Sequence, residues 1–172
     1  MRGVIQGDPS RLMATLDLEA AQATPRLKLV GEFRDALAGS QRFSIADTDL
    51  GLVVASKTCA FQFGFERRSA TRYTLMVTEP SRPRDGMAFF VLRQILGARG
   101  PTSTPTELAS LVNTYFASLL EGDFSVRKDY RRLETPILDG MLKAHALPDD
   151  HPVNMKIANC DLSWLEDVRG LA

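Results

Sequence analysis

The chain has 172 residues, 44% of them hydrophobic, which is the size and apolar content of one domain with a sizeable core. Its 21 basic and 21 acidic residues cancel, so no whole-molecule field draws it to nucleic acid or to an anionic membrane. No apolar run reaches the roughly 18 residues of a membrane-spanning helix, and Met1-Arg2-Gly3 leads toward GDPSRL rather than an apolar signal core, so a cytoplasmic protein is expected.

Pro9 to Ala23 is rich in helix formers, with Leu12, Leu16 and Glu19 or Ala20 on one face after an Asp8-Pro9 start, and reads as an N-terminal helical arm within residues 1–23. Thr24-Pro25 reads as the cap and first turn of a second helix, whose stripe of Leu27, Val30, Phe33 or Arg34, and Leu37 ends at Gly39. Phe43 and Ile45 begin a short strand, and ADTDLG from Ala46 to Gly51 is rich in turn formers before LVVAS.

Cys59, Phe61, Phe63 and Phe65 alternate with Thr58, Ala60, Gln62 and Gly64, the two-residue period of a strand with one buried face. After the turn-like ERRSAT, Tyr73, Leu75 and Val77 alternate with polar or smaller partners, which predicts a hairpin with a shared apolar face. PSRPRDG, with prolines at 80 and 83, is expected to end the sheet. The run from Met87 to Leu96 is apolar nearly all round and predicts a helix buried on more than one side.

Gly97 to Thr104 reads as a linker, and Thr104-Pro105-Thr106-Glu107 as a capping box with proline at the first helical position. Leu108, Leu111, Val112, Tyr115, Phe116 and Leu119 follow the spacing of a core-facing helix, opposite a polar, nearly uncharged face. Glu121-Gly122-Asp123 breaks that helix and offers Asp123 as the next cap. Pro136 is expected to interrupt or restart helix, residues 149 to 159 read as a short strand or ordered loop, and Asp161 as the cap of a last helix carrying Trp164.

The residues that usually carry chemistry favour structural roles. His145 and His151 flank Asp149 and Asp150 across a proline loop, a spacing that matches no zinc pattern and reads as surface loop. Asp47 and Asp49 read as turn residues. Cys59 and Cys160 read as reduced thiols rather than a disulfide framework, and the Phe face around Cys59 would raise its pKa and leave it unreactive. There is no GxSxG, HExxH, paired CxxC or phosphate-cradling glycine loop, so no catalytic residue, metal or cofactor is assigned.

Arg67, Arg68, Arg72, Arg82 and Arg84 crowd the hairpin turn and the segment after it, against Glu66, Glu79 and Asp85, while His145 to Ala172 is acidic. Arginine forks suit carboxylate and phosphate groups, which makes this cluster the candidate contact patch, with self-pairing to the acidic tail as its plain structural alternative. Arg127, Lys128, Arg131 and Arg132, interspersed with Asp129 and Glu134, read as a solvated helix face.

The order of pieces, from FGFERRSATRY and YTLMV through MAFFVLRQILG to LASLVNTYFASLLEGDFSVRKDYRRLE, resembles small bacterial α+β domains, several of which occur among the immunity proteins of polymorphic toxin systems. The resemblance spans about Phe33 to Glu134. It implies a non-enzymatic protein that neutralises a cognate toxin by covering or locking it, and it assigns no functional residue. The expectation is therefore one α+β domain over 1–172, with an antiparallel sheet of three to four strands between Phe43 and Thr78, helices packed on one face and a helical C-terminal half. The expected partner is another protein, with no membrane and no preset number of subunits. The alternatives are a small-ligand or nucleic-acid binder using the arginine cluster, and an enzyme with its site near His145 and His151.

Overall fold

The structure is a computed structural model that describes residues 9–37, 41–49 and 51–170, with side-chain positions from Ala21 onward. Helix α1 runs over Pro9–Ala36, and the Asp8 start and Gly39 stop read from the sequence lie outside the described residues. The expected break at Thr24-Pro25 does not occur, because Pro25 sits inside one continuous helix. Proline removes one ladder bond, but the i−4 carbonyl it frees belongs to Ala21, an exposed residue that water can satisfy. Arg26 also braces the weakened turn, donating to Gln22 Oε1 at 3.0 Å and to the carbonyls of Glu66 and Ser69.

Five strands follow in a meander, β1 Ser44–Thr48, β2 Gly51–Ala55, β3 Ala60–Phe65, β4 Tyr73–Thr78 and β5 Met87–Ala88, each antiparallel to the last. The sheet has one strand more than expected at most, because Met87 and Ala88 pair with Val77 and Met76 before the apolar run turns helical. The sequence PSRPRDG loops out and returns rather than ending the sheet. Asp47 lies in β1 opposite Leu52, and only Asp49 of the pair sits at the turn.

The alternation in β3 has the predicted effect. Phe61 and Phe63 are buried on the same face as Val54, Leu75 and Val77, and α1 closes over them with Val30 and Phe33. The Phe33 ring meets Phe61 and Phe63 edge-on at 5.3 and 5.1 Å, worth about 0.5–1.5 kcal/mol per pair beyond area burial. Val53, Gln62 and Met76 on the opposite face stay half-buried, so the helices cover one face as expected.

Helix α2 spans Phe89–Ile95, and Phe89, Val91, Leu92 and Gln94 are buried, so it is enclosed on more than one side. Helix α3, Pro105–Tyr115, starts at a complete Thr104/Glu107 capping box and packs on α1. The helix read as continuing to Glu121 is divided at Phe116, yet the expected core stripe is buried on both sides of the break except for Tyr115, which is exposed. On its polar face Asn113 donates to Ala36 O, while Ser110 and Thr114 stay in solvent.

Helix α4, Ala117–Leu120, ends at Gly122 in the left-handed region. Asp123 accepts from Ser125 N and closes a turn rather than capping the next helix, which begins four residues later. Helix α5, Arg127–Ala144, continues through Pro136, whose i−4 carbonyl belongs to the exposed Arg132. Residues 152–158 form helix α6, Pro152–Ala158, rather than strand or loop, with proline at its first position. Helix α7 spans Trp164–Arg169 and starts after Ser163, two residues later than an Asp161 cap implies; Asp161 instead accepts from Ser163 N.

The C-terminal helices are tied to α2 by a buried polar cluster. Gln94, 2% exposed, donates from Nε2 to Ile157 O at 3.0 Å and accepts Trp164 Nε1 at 3.2 Å. Trp164 also lies so close to α5 that a Cβ on Gly140 would fall 2.5 Å from its ring. The molecule is thus α+β, with a five-stranded antiparallel sheet and seven helices among the described residues. None of these helices is long and apolar enough to cross a membrane.

Candidate binding groove

A groove of about 980 Å³ opens at the outer margin of β4. Its floor includes the consecutive residues Tyr73 to Met76. One wall is the α1 turn carrying Lys28, Leu29 and Glu32, the other is Ala88 to Phe90 with Arg93 of α2, and Thr102 to Pro105 with Leu108 close one end. The groove exists because β5 is two residues long. The chain leaves the sheet opposite Met76 and turns into α2, so the lane beside Tyr73, Thr74 and Leu75 carries no strand among the described residues.

The interior is apolar, with Leu29, Leu75, Phe89, Phe90 and Leu108 presenting carbon surface, and burial pushes the Tyr73 phenol up from its ordinary range. The rim carries three cations and two carboxylates. Lys28 stands 3.9 Å from Glu32 and Arg72 stands 3.9 Å from Glu66, both loose exposed pairs of small energetic weight. Arg93 instead donates to the carbonyls of Ala98 and Gly100 and meets no carboxylate in an ion pair among the described residues.

The wall that begins at Ala88 is tied to Tyr130 of α5. Its hydroxyl accepts the Ala88 amide at 3.0 Å and donates to Glu134 Oε1 at 2.7 Å. Burial, reinforced by the Glu134 carboxylate and opposed by the Ala88 amide, pushes this phenol up to about 12.

The five arginines of the candidate patch do not come together. Arg67, Arg68 and Arg72 leave the sheet at one end of β4, and Arg82 and Arg84 follow its other end, six strand residues away. All five are exposed; Arg72 pairs loosely with Glu66 and Arg82 with Glu79 at 3.8 Å, and only Arg72 lines the groove. The acidic tail is not their partner, since Asp167 pairs with Lys156 and Glu166 with Arg169. Arg127 also departs from the solvated face read for it. Its side chain is 11% exposed, lies over the Phe124 ring and grips Asp85 through both a carboxylate oxygen at 2.6 Å and the main-chain carbonyl.

His145 is the exposed C-cap of α5, and His151 caps α6 by accepting Val153 N on Nδ1 at 3.3 Å, so each has a helix-end position. No group of three potential ligands is placed to hold a metal among the described residues. Asp47 and Asp49 border a smaller hollow of about 430 Å³ beside Arg26 and Phe65. Cys59 and Cys160 are free and buried, and desolvation pushes the Cys59 thiol up to about 12 despite a bond from the Ala60 amide.

No protein-family model matches the chain, and no curated protein or solved structure matches it.

Proposed function

We propose that this chain is a non-enzymatic protein-binding module of the cytoplasm that docks its partner in the groove beside β4. The observation that carries the reading is the groove itself: an open trench of about 980 Å³ with Leu29, Phe89, Phe90 and Leu108 in its lining. A cleft of this volume, apolar inside with a few charged groups at its rim, has the form of a binding site. An immunity protein that blocks a cognate toxin is the specific form of this function that the order of elements suggests, and Arg72 would supply a charged contact at the groove mouth.

Site-directed photo-cross-linking tests the reading. With a benzoylphenylalanine at Phe90, in the groove wall, the full chain in its native host gives an adduct of one discrete protein mass. The same group at Leu142, 75% exposed on α5, gives none. A Leu29→Glu background, checked for folding by circular dichroism, lowers the Phe90 adduct at least about tenfold, a loss of about 1.4 kcal/mol in affinity. Equal adducts from both positions, or a small molecule retained in the groove by native mass spectrometry in place of any protein, would overturn it.

A further inference from the structure

We propose that the groove receives an extended segment of the partner protein as an added strand beside Tyr73–Leu75, with apolar side chains at alternate positions and an acidic residue beside Arg93. The inference rests on the protein-binding reading above and specifies how that site works.

Two hydrogen bonds establish which way the β4 main chain faces. Glu66 N donates to Arg72 O, and this pair continues the register in which Phe65 faces Tyr73 and Gly64 faces Thr74. Bonded and non-bonded pairs alternate along an antiparallel ladder, so Thr74 and Met76 turn their amides toward β3, and Tyr73, Leu75 and Val77 turn theirs outward. At the other margin, Ala88 gives its amide to Tyr130 rather than to its neighbour Met76, which makes Val77 with Met87 the bonded pair and agrees with the same parity. Val77 therefore meets β5. Both main-chain groups of Tyr73 point into the lane beyond the end of β5, and the N–H of Leu75, beside Phe89 at the start of α2, faces the same way.

An extended backbone satisfies such groups, and strand addition is the recognition mode built from them. Side-chain direction sets the pattern. Leu75 lies opposite Phe63 on the face that α1 covers, so residues of the guest paired with Tyr73 and Leu75 point toward Leu29 and Leu108, and the residue between them points to solvent beside Thr74. Charge selects further. Glu32 and Glu66 already stand near Lys28 and Arg72, which leaves Arg93 as the cation that a guest carboxylate would complement.

The probe is a library of random heptapeptides selected on the full chain, with the best binder then synthesised. Selected peptides alternate apolar and polar residues and carry one acid. The synthesised binder protects the Tyr73 and Leu75 amides from exchange in the labelled protein and competes with the Phe90 cross-link. N-methylation of its inward-bonding amides weakens binding at least about tenfold, and replacing its acid with lysine weakens it several-fold. Tolerance of N-methylation, no protection at Tyr73 and Leu75, no selected peptide at all, or a dimer joined through β4 would each overturn strand addition. A methylation-tolerant peptide that still displaces the cross-link overturns the added strand alone and leaves the protein-binding reading intact.

Discussion

At one margin of the sheet β1 stands in solvent, with Ser44, Ala46, Asp47 and Thr48 exposed; at the other, β4 borders an apolar trench between two helices. The stretch of β4 beyond its pairing with β5 presents the same kind of main-chain edge as β1, in different surroundings. Short length, polar side chains and a charge protect β1 from pairing with other chains. At β4 the protection is missing, and α1 and α2 instead form walls that restrict what can approach. One margin is thus guarded by the strand's own residues and the other is narrowed by the helices on either side of it.

The comparison is broken most severely through the floor that both margins share. Replacing Phe63 with alanine removes a ring that packs on Phe33, Phe65 and Tyr73, and should cost about 3–5 kcal/mol in urea unfolding. Both margins should then lose exchange protection together; loss at β4 alone would mean that the sheet does not unfold as one unit.

Next in size is a change at the start of β2, where that strand lies between β1 and β3. Gly51 has φ +134°, and a Cβ there would sit 2.0 Å from the Phe63 carbonyl oxygen. Gly51→Ala should therefore cost about 2–3 kcal/mol and free β1 while the groove still binds its peptide.

Tyr130→Phe makes the complementary cut at the β4 side. It leaves the Ala88 amide without its partner, for about 1–2 kcal/mol, and should speed exchange at Ala88 with β1 unchanged. The same hydroxyl gives a pH signature. A phenol whose pKa rises from 10.0 to about 12 on folding contributes stability that is complete below pH 10 and is lost as pH climbs toward 12. Cys59, raised from 9.0 to about 12, adds a loss of the same sign that starts near pH 9. The urea midpoint should fall between pH 9 and 11, and Tyr130→Phe should flatten the portion above 10.

The smallest effect on stability sharpens the contrast most. Asp47→Val removes an exposed charge from β1 and should change folding free energy by less than about 0.5 kcal/mol. Size-exclusion chromatography should nevertheless show concentration-dependent self-association, as a now unguarded margin finds a second copy. A variant that stays monomeric would mean that Asp47 is not what keeps β1 unpaired.

Much of the scaffold is legible in the residues. Alternation from Cys59 to Phe65 and from Tyr73 to Val77 announces the hairpin, and Thr104 to Glu107 announces α3, because each signal is local and matches the period of the element it builds. Pro25 and Pro136 mislead because their cost is real but bearable where the freed carbonyl meets water. Met87 and Ala88 mislead because two strand residues inside an apolar run look like a helix's first turn. The arginines crowd together along the chain, and β4 then carries them to opposite ends. The groove has no local signal: α1, β4, α2 and the α3 entry contribute stretches up to about eighty positions apart, and only the early exit of β5 opens the space between them.

The tie between Gln94 and Trp164 has a consequence for how this protein comes into being. Gln94 sits on the helix that walls the groove, and its oxygen has its partner seventy positions downstream. A nascent chain emerging from the ribosome therefore carries an unfinished groove wall, with the Gln94 amide still lacking its indole, until translation has passed Trp164. The finished groove is in that sense a late product of synthesis, acquired only when the far end of the polypeptide returns to brace the middle.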